Sequence, residues 1–192
     1  MYPEGADDRA KKFFQDTFMY ELAHQCDFAL ISMAYLRFAL NTRNLKLVFY
    51  SSHAFLTHAG NISKLLWPDK RTRNDWPKSY NRGSELRRIL KIPENSPLKD
   101  RTLRNHLEHY DSRIDEWVLT SQRHNYVDQF LGPISQIGGV EISDIMRHFD
   151  YNTYTLSFHG DSYDLLSTEK EIIKLLNQIM EISPEIRMTL RT

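Results

Sequence analysis

A mainly α-helical fold, built as a four- or five-helix bundle with a small antiparallel β excursion near the C-terminal third, is what this sequence predicts. Two long stretches before residue 67 carry apolar residues three and four positions apart and contain no proline. The same spacing returns between residues 101 and 117, and β-branched and aromatic runs follow after Thr120. The first pattern is typical of amphipathic helices and the second of short strands between turns.

Residues from about Asp8 to Asn41 are expected to form one long helix or two collinear ones, and the next helix is expected from about Leu45 to Leu66. Apolar residues at helical spacing in the first are Phe13, Phe14, Phe18, Leu22, Cys26, Ala29, Met33 and Leu40. The segment Asn41–Asn44 supplies a turn and a capping residue, and the second helix ends before Pro68 because a proline disfavours helical backbone in the residue before it. Two long helices joined by so short a link form an antiparallel hairpin.

The second helix is apolar on two faces. One stripe contains Leu45, Val48, Phe49, Phe55, Leu56, Ala59 and Leu66, and the other contains Leu47, Tyr50, Ala54 and Leu65. Such a helix is either central in the fold or lies at a subunit seam. His53 and His58 point about 140° apart around it, so they are interpreted as packed or surface histidines rather than joint metal ligands.

Between this hairpin and residue 100 the sequence is rich in helix-breaking residues and in lysine and arginine. Pro68–Tyr80 is expected to be a loop, with Arg73 and Trp76 among its basic and aromatic residues. Aromatic faces among cations suit single-stranded nucleic acid, and the alternative is a hydrophobic tether that pins a long loop. A short helix is expected from Ser84 to about Leu90, followed by a second loop marked by Pro93 and Pro97.

A central helix is expected from Arg101 to Trp117, with Asp100 as its N-cap. Its core-facing residues are Leu103, Leu107, Tyr110, Ile114 and Trp117. The opposite face would then carry Asn105 and His109, with Arg104 on a flanking stripe. Arg104 and Asn105 fall in the first turns, where the helix dipole and free backbone donors favour an anionic ligand.

The chain after Thr120 is expected to form a small antiparallel hairpin or three-stranded sheet. The candidate strands are Tyr126–Leu131, Val140–Phe149 and Tyr154–Phe158, separated by glycine, proline and asparagine turns, and a turn then leads to Tyr163–Leu165. A final helix is expected from Thr168, where Thr168 and Glu171 match a capping box, through Met180.

Composition limits the class of protein. The chain has 192 residues, near the size of one domain, with 41% hydrophobic and 26% charged residues and no apolar run long enough for a membrane span. The acidic N-terminus is unlike a signal peptide, so a cytoplasmic protein is expected. Cys26 is the one cysteine, which excludes an intrachain disulfide and a cysteine zinc cluster, and its apolar setting predicts a buried, inert thiol.

Charge is balanced overall but unevenly distributed along the chain. Residues 69–104 contain eleven bases and five acids, a net charge of +6, whereas residues 108–192 contain seven bases and fourteen acids, a net charge of −7. In one interpretation the basic and the acidic stretch are both solvated surfaces. In the other, the basic stretch binds a polyanion beside Arg104.

The central helix contains the segment Arg104-Asn-His-Leu-Glu-His109, which has the pattern of an arginine, a polar residue, three further residues and a histidine. On a late helix of a helical core, this pattern resembles the HEPN superfamily, the higher eukaryote and prokaryote nucleotide-binding helical domain. The resemblance makes residues 1–121 an HEPN-like bundle. Residues 122–192, with the β excursion and the C-terminal helix, would then pack on the same domain as an addition.

The resemblance implies a metal-independent endoribonuclease, with neither metal nor cofactor, in which Arg104, Asn105 and His109 of two subunits meet in a shared cleft. RNA is the expected substrate, with Lys99, Arg101, Arg73 and Trp76 as expected substrate-binding residues. A homodimer, a role as a toxin or defence protein, and an antitoxin or other regulatory protein as partner are further expectations. The alternative is a non-catalytic HEPN-like module that binds a nucleotide, RNA or a protein partner.

The three motif residues suit metal-free RNA cleavage. A histidine can transfer protons near neutral pH, an arginine can hold phosphate oxygens, and an asparagine can orient the 2′-hydroxyl. Arg104 lies about 100° around the helix from Asn105, so it must reach with its long side chain or serve the other subunit. In the purely structural interpretation, Arg104 forms an ion pair with Glu108, and Asn105 and His109 are solvated.

Overall fold

A hairpin of two long helices forms the main scaffold of the molecule. The structure, a computed structural model, describes residues 7–68, 76–100, 110–120, 125–158 and 161–189. Helix α1 spans Asp8–Asn41 and α2 spans Leu45–Leu66, which confirms both predictions. The Asp7 carboxylate accepts a hydrogen bond from the Ala10 amide at the start of α1, and the Asn44 side chain does the same for Leu47 at the start of α2.

Helix α2 is central in the fold. Its buried residues include Val48, Phe55 and Ile62, and it contacts α1 along its length. Leu47 and Leu65, from the second predicted stripe, also pack against the main core, whereas Tyr50 stays exposed. Cys26 lies in the same core, as predicted, and burial raises the pKa of its thiol above the usual range.

The third helix begins earlier than the sequence indicated. Helix α3 spans Trp76–Ile89, so the predicted loop over Pro68–Tyr80 is wrong from Trp76 onward, and the helix does not start at Ser84. Pro77 did not mark a loop here because a proline in the first turn of a helix removes only an amide that has no intrahelical partner. Gly83 brings α3 against the end of α2, since an added Cβ would lie 2.6 Å from the Leu66 carbonyl oxygen.

A 3₁₀ turn over Pro97–Lys99 precedes helix α4, described from Tyr110 to Thr120. The earlier turns of the predicted central helix, and hence the capping role expected of Asp100, lie outside the described residues. Ile114 and Trp117 face a core, as predicted, but this is a small separate cluster with Met146 and Phe158.

The β excursion is a four-stranded sheet in the order β1-β2-β3-β4. The strands are β1 Phe130–Leu131, β2 Arg147–Asp150, β3 Thr155–Phe158 and β4 Asp161–Asp164. The last three pair antiparallel, as predicted, but β1 pairs parallel with β2. The long predicted strand Val140–Phe149 is wrong in its first half, where Ile142–Asp144 forms a 3₁₀ turn.

The C-terminal helix α5 spans Leu165–Ile182, and a short helix α6 spans Ile186–Thr189. The predicted start at Thr168 is wrong, because the Asp164 carboxylate caps the helix one turn earlier by accepting from the Ser167 amide. Helix α5 packs on α1 and closes the main core. Within the described ranges, no helix combines the length and apolar character needed to cross a membrane.

Candidate functional site

Most of the residues predicted to form the site fall outside the described residues. These are Arg104, Asn105 and His109 of the motif together with Arg73 and Arg101. Trp76 is the first residue of α3, although its side chain is not among those described. Lys99 ends the 3₁₀ turn, and its Nζ lies 3.2 Å from the Glu94 carboxylate, whose pKa is lowered first by that contact.

The helix on the C-terminal side of the motif packs against the fold through a few side chains. His109 is directly followed by α4, which is anchored by its buried Trp117. The Trp117 indole N–H donates to the Ser143 carbonyl at 2.7 Å, and Ile114 packs beside it. Helix α4 is therefore packed against the sheet-containing part of the chain.

A separate candidate site is an open cleft of about 560 Å³ between α2 and the sheet, called here the α2 cleft. A volume of this size is in the range that accommodates a small organic ligand. Its lining residues are Lys46, Phe49, Tyr50, His53, Ala54, Thr57, Gln129 and Arg147.

One wall of the α2 cleft is a single face of helix α2. Lys46, Tyr50, His53 and Thr57 follow one another at spacings of four, three and four, which aligns their side chains along the helix. The buried face of α2 packs on α1 and the main core, so the Lys46 face is turned away from that contact. Tyr50 is 72% exposed and so presents an open aromatic side chain beside the cleft.

The facing wall comes from the chain around β1 and β2. Arg147 donates from Nη1 to both oxygens of Asp128, at 2.6 and 2.7 Å, and both side chains are largely buried. Gln129 is held beside this pair with φ of 61°, a left-handed backbone conformation that costs free energy for a residue other than glycine. The ion pair fixes the position of the Arg147 guanidinium at the cleft.

The electrostatics of the α2 cleft favour a neutral His53. Burial lowers the pKa of His53, the positive charge of Arg147 lowers it further, and Asp128 partly offsets these effects. A neutral imidazole offers one donor and one acceptor nitrogen. The side chains of Lys46, Tyr50, His53 and Gln129 form no hydrogen bond with any described residue, so each has bonding capacity left for a ligand.

Together these groups are suited to a planar ligand that carries an anion. Lys46 supplies a positive charge, Tyr50 supplies a ring face, and His53 and Gln129 can each donate and accept hydrogen bonds. The described residues contain no group of three or more histidine, cysteine, aspartate or glutamate side chains placed to hold a metal ion.

The sequence alone does not reveal this cleft. His53 is predicted only to be a packed or surface histidine, and no pattern distinguishes Gln129, Arg147 or Asp128. These residues are distant from α2 along the chain, and the pairing of β1 with β2 brings them to it. Comparison of the chain with protein-family models, with characterised proteins and with solved structures finds no match.

Proposed function

We propose that this chain is a metal-independent endoribonuclease of the HEPN type, with Arg104, Asn105 and His109 as its active-site residues. The observation that carries the proposal is the Arg104-Asn105-x-x-x-His109 pattern, placed immediately before α4 in a mainly helical chain. The helical hairpin of α1 and α2 supports it, since the resemblance requires a helical core.

In the proposed reaction the 2′-hydroxyl of RNA attacks the adjacent phosphorus, and the 5′-oxygen leaves. The 2′-hydroxyl loses its proton as O2′ bonds to phosphorus, and the 5′-oxygen gains a proton as the P–O5′ bond breaks. His109 is the acid or base in these proton transfers, Arg104 stabilises the charge on the phosphorane oxygens, and Asn105 orients the hydroxyl or the imidazole. The two active-site sets act in a cleft shared by a homodimer. Arg73, Trp76, Lys99 and Arg101 are the proposed substrate-binding residues. A toxin or defence role in the cytoplasm fits such an activity.

The test is cleavage of mixed RNA by the purified protein with EDTA present. His109→Ala and Arg104→Ala should each reduce the cleavage rate roughly 100-fold or more, because a positioned acid, base or oxyanion donor contributes at least that much. His106→Ala is the matched control, since it removes a histidine of the same segment that lies outside the motif, and it should retain activity. Full activity in the His109→Ala protein would reject the nuclease.

A non-catalytic binding module is the second candidate, and the α2 cleft is the observation that favours it. The exposed Tyr50 ring, the Lys46 ammonium group and the hydrogen-bonding groups of His53 and Gln129 fit one nucleoside phosphate unit, either free or within an RNA strand. Titration calorimetry with a mononucleotide and with a short single-stranded RNA shows whether the cleft binds a free nucleotide or a nucleotide within an RNA strand.

Loss of binding in Lys46→Ala and His53→Ala, with retention in the α2 control Lys64→Ala, would assign the ligand to this cleft. The alternative result is that all three variants cleave RNA at the wild-type rate while His109→Ala alone abolishes cleavage. That result would place the function at the motif.

A further inference from the structure

Helix α1 carries a row of large apolar side chains on the face opposite its core. Phe28, Ile31, Tyr35 and Phe38 are 45%, 44%, 56% and 58% exposed, and they are called here the α1 stripe. The core-facing residues of the same turns, Ala29, Met33 and Leu36, are fully buried. The helix therefore has two apolar faces, and α2 and α5 cover only one of them within the described structure.

The size of the α1 stripe sets it apart from ordinary surface residues. A Phe or Tyr side chain buries about 150–250 Å² when it is covered, so four half-exposed side chains present roughly 400 Å². Single exposed apolar residues are common, but a contiguous patch of this size is often a site of interaction. A typical stable interface buries about 800 Å² per partner, so the α1 stripe would form its centre rather than its whole.

The spacing of the α1 stripe indicates the shape of its partner. Positions 28, 31, 35 and 38 are separated by three, four and three residues, which is the repeat of a seam between two helices. Phe28 is also held in place, because the His24 ring stacks on it with centroids 6.2 Å apart and the His58 ring lies 5.3 Å away. His58 in turn is hydrogen-bonded to Gln25 through Nδ1 at 2.9 Å.

We propose that the α1 stripe binds the α1 stripe of a second copy of this chain, with the two helices antiparallel across a two-fold axis near Met33. A two-fold interface must be self-complementary. In this register Phe28 meets Phe38 of the other copy and Ile31 meets its Tyr35, so each contact occurs twice.

Charge supports the antiparallel direction. Glu21 lies on the N-terminal side of the α1 stripe, and Arg43 lies just beyond the C-terminal end of α1, with no ion pair to any described residue. At 1.5 Å per residue, Glu21 lies ~18 Å before Met33, and α1 ends at Asn41 ~12 Å after it, two residues before Arg43. An antiparallel pair therefore brings Glu21 of one copy near Arg43 of the other, whereas a parallel pair would bring like charges together.

In this dimer the α1 stripe forms the centre of the interface. The proposed nuclease requires two subunits, but it does not specify which face of the chain joins them. Each copy contributes its α1–α2 hairpin, so the pairing would give a four-helix arrangement with the α1 stripes at its centre. A protein without nuclease activity could still form the dimer, and the two outcomes are measured separately.

The experiment is sedimentation equilibrium of the full chain at micromolar concentration, with Ile31→Lys and Tyr35→Glu as separate variants. The wild type should be a dimer, and each variant alone should dimerise at least about 100-fold more weakly, because a charge is buried twice at the centre of the interface. Mixing the two variants should restore a dimer, since the introduced lysine of one copy then faces the introduced glutamate of the other. Leu119→Lys, an equally large change at an 85% exposed residue of α4, is the control and should leave the dimer intact.

Circular dichroism of each variant should match the wild type, because both side chains are half-exposed and lysine and glutamate are good helix formers. A monomeric wild type, or a dimer that survives both substitutions, would overturn the proposal. Two variants that dissociate but do not recover on mixing would overturn the antiparallel register.

Discussion

At the scale of single residues, Glu169 is a buried carboxylate whose charge is balanced from another helix. Arg37 on α1 donates from Nη1 and Nη2 to the two oxygens of Glu169 on α5, at 2.8 and 2.6 Å. The Glu169 side chain is only 11% exposed, whereas that of Arg37 is 44% exposed. The interaction therefore links α1 to α5 and at the same time satisfies a group that would be costly to bury alone.

Arg37→Ala should lower the free energy of unfolding by about 1–3 kcal/mol, because it leaves the Glu169 carboxylate buried without a partner. Urea denaturation followed by circular dichroism measures the change. Lys11→Ala is the control, since it breaks a solvent-exposed ion pair with Asp8 and should cost less than about 0.5 kcal/mol. Replacing both partners, in Arg37→Met with Glu169→Leu, should recover most of the loss. Equal stability of the Arg37→Ala and Lys11→Ala proteins would contradict this role.

Two histidines give the stability a dependence on pH. Burial lowers the pKa of His58, and burial together with Arg147 lowers that of His53, from an ordinary value of 6.5. The unfolded chain then binds more protons than the folded chain as the pH falls below 6.5. Stability should therefore be full above that pH and decrease as the pH falls toward the lowered pKa values.

Urea unfolding should accordingly show a lower free energy at pH 5.5 than at pH 7.5, and His53→Gln with His58→Gln should flatten the difference. Glu85 and Glu94, whose pKa values are lowered from 4.5, act at more acidic pH and do not account for this window. If the unfolding free energy of the double variant changed with pH as much as that of the wild type, the pH dependence would come from other groups.

At the scale of secondary-structure elements, the sequence predicted the features that are determined by residues close together in the chain. The bounds of α1 and α2 were predictable because the caps Asp7 and Asn44 and the apolar repeat all lie within or directly beside the elements themselves. The start of α3 was missed since Pro77 is compatible with both a loop and a first helical turn. The parallel pairing of β1 with β2, and the α2 cleft that depends on it, come from tertiary contacts that no local pattern encodes.

The joint between α2 and α3 depends on a glycine within a helix. A Cβ at Gly83 would lie 2.6 Å from both the Leu66 carbonyl oxygen and the Pro68 Cδ, and Arg87 donates from Nη1 to that same carbonyl oxygen. An alanine normally stabilises a helix by up to about 1 kcal/mol relative to glycine. Here the steric contact should reverse the sign, because the neighbouring atoms belong to the backbone and to a proline ring.

Gly83→Ala should thus lower the free energy of unfolding by about 1–3 kcal/mol, the usual range for overpacking. Thermal unfolding followed by circular dichroism measures it, with Gly138→Ala as the control because its added Cβ would meet no atom within 4 Å. A Gly83→Ala protein that melts at or above the wild-type temperature would show that α3 can move away from α2 at little cost.

At the scale of the whole molecule, the described structure has two apolar clusters of very different size. The larger joins α1, α2 and α5 and includes Phe55, while the smaller consists of Trp117, Met146 and Phe158 with Ile114 beside them. Helix α4, which follows the proposed active-site segment in the sequence, packs in the small cluster. Elements with few buried apolar contacts open at lower free energy than the rest of a fold. The segment next to the motif should therefore open before the helical hairpin does.

Native-state hydrogen exchange can test this difference with two core substitutions. Met146→Ala should lower the opening free energy of the α4 amides by about 2–5 kcal/mol, because it leaves a cavity in a cluster of only a few side chains, and should leave the α2 amides protected. Phe55→Ala, in the large core, should lower protection in α1, α2 and α5 together by about 3–5 kcal/mol. Ile142→Ala, at a residue 61% exposed, is the control and should change neither. If Met146→Ala reduced protection in α2 as much as in α4, the two clusters would unfold as one cooperative unit, and the motif would be attached to the most stable part of the molecule.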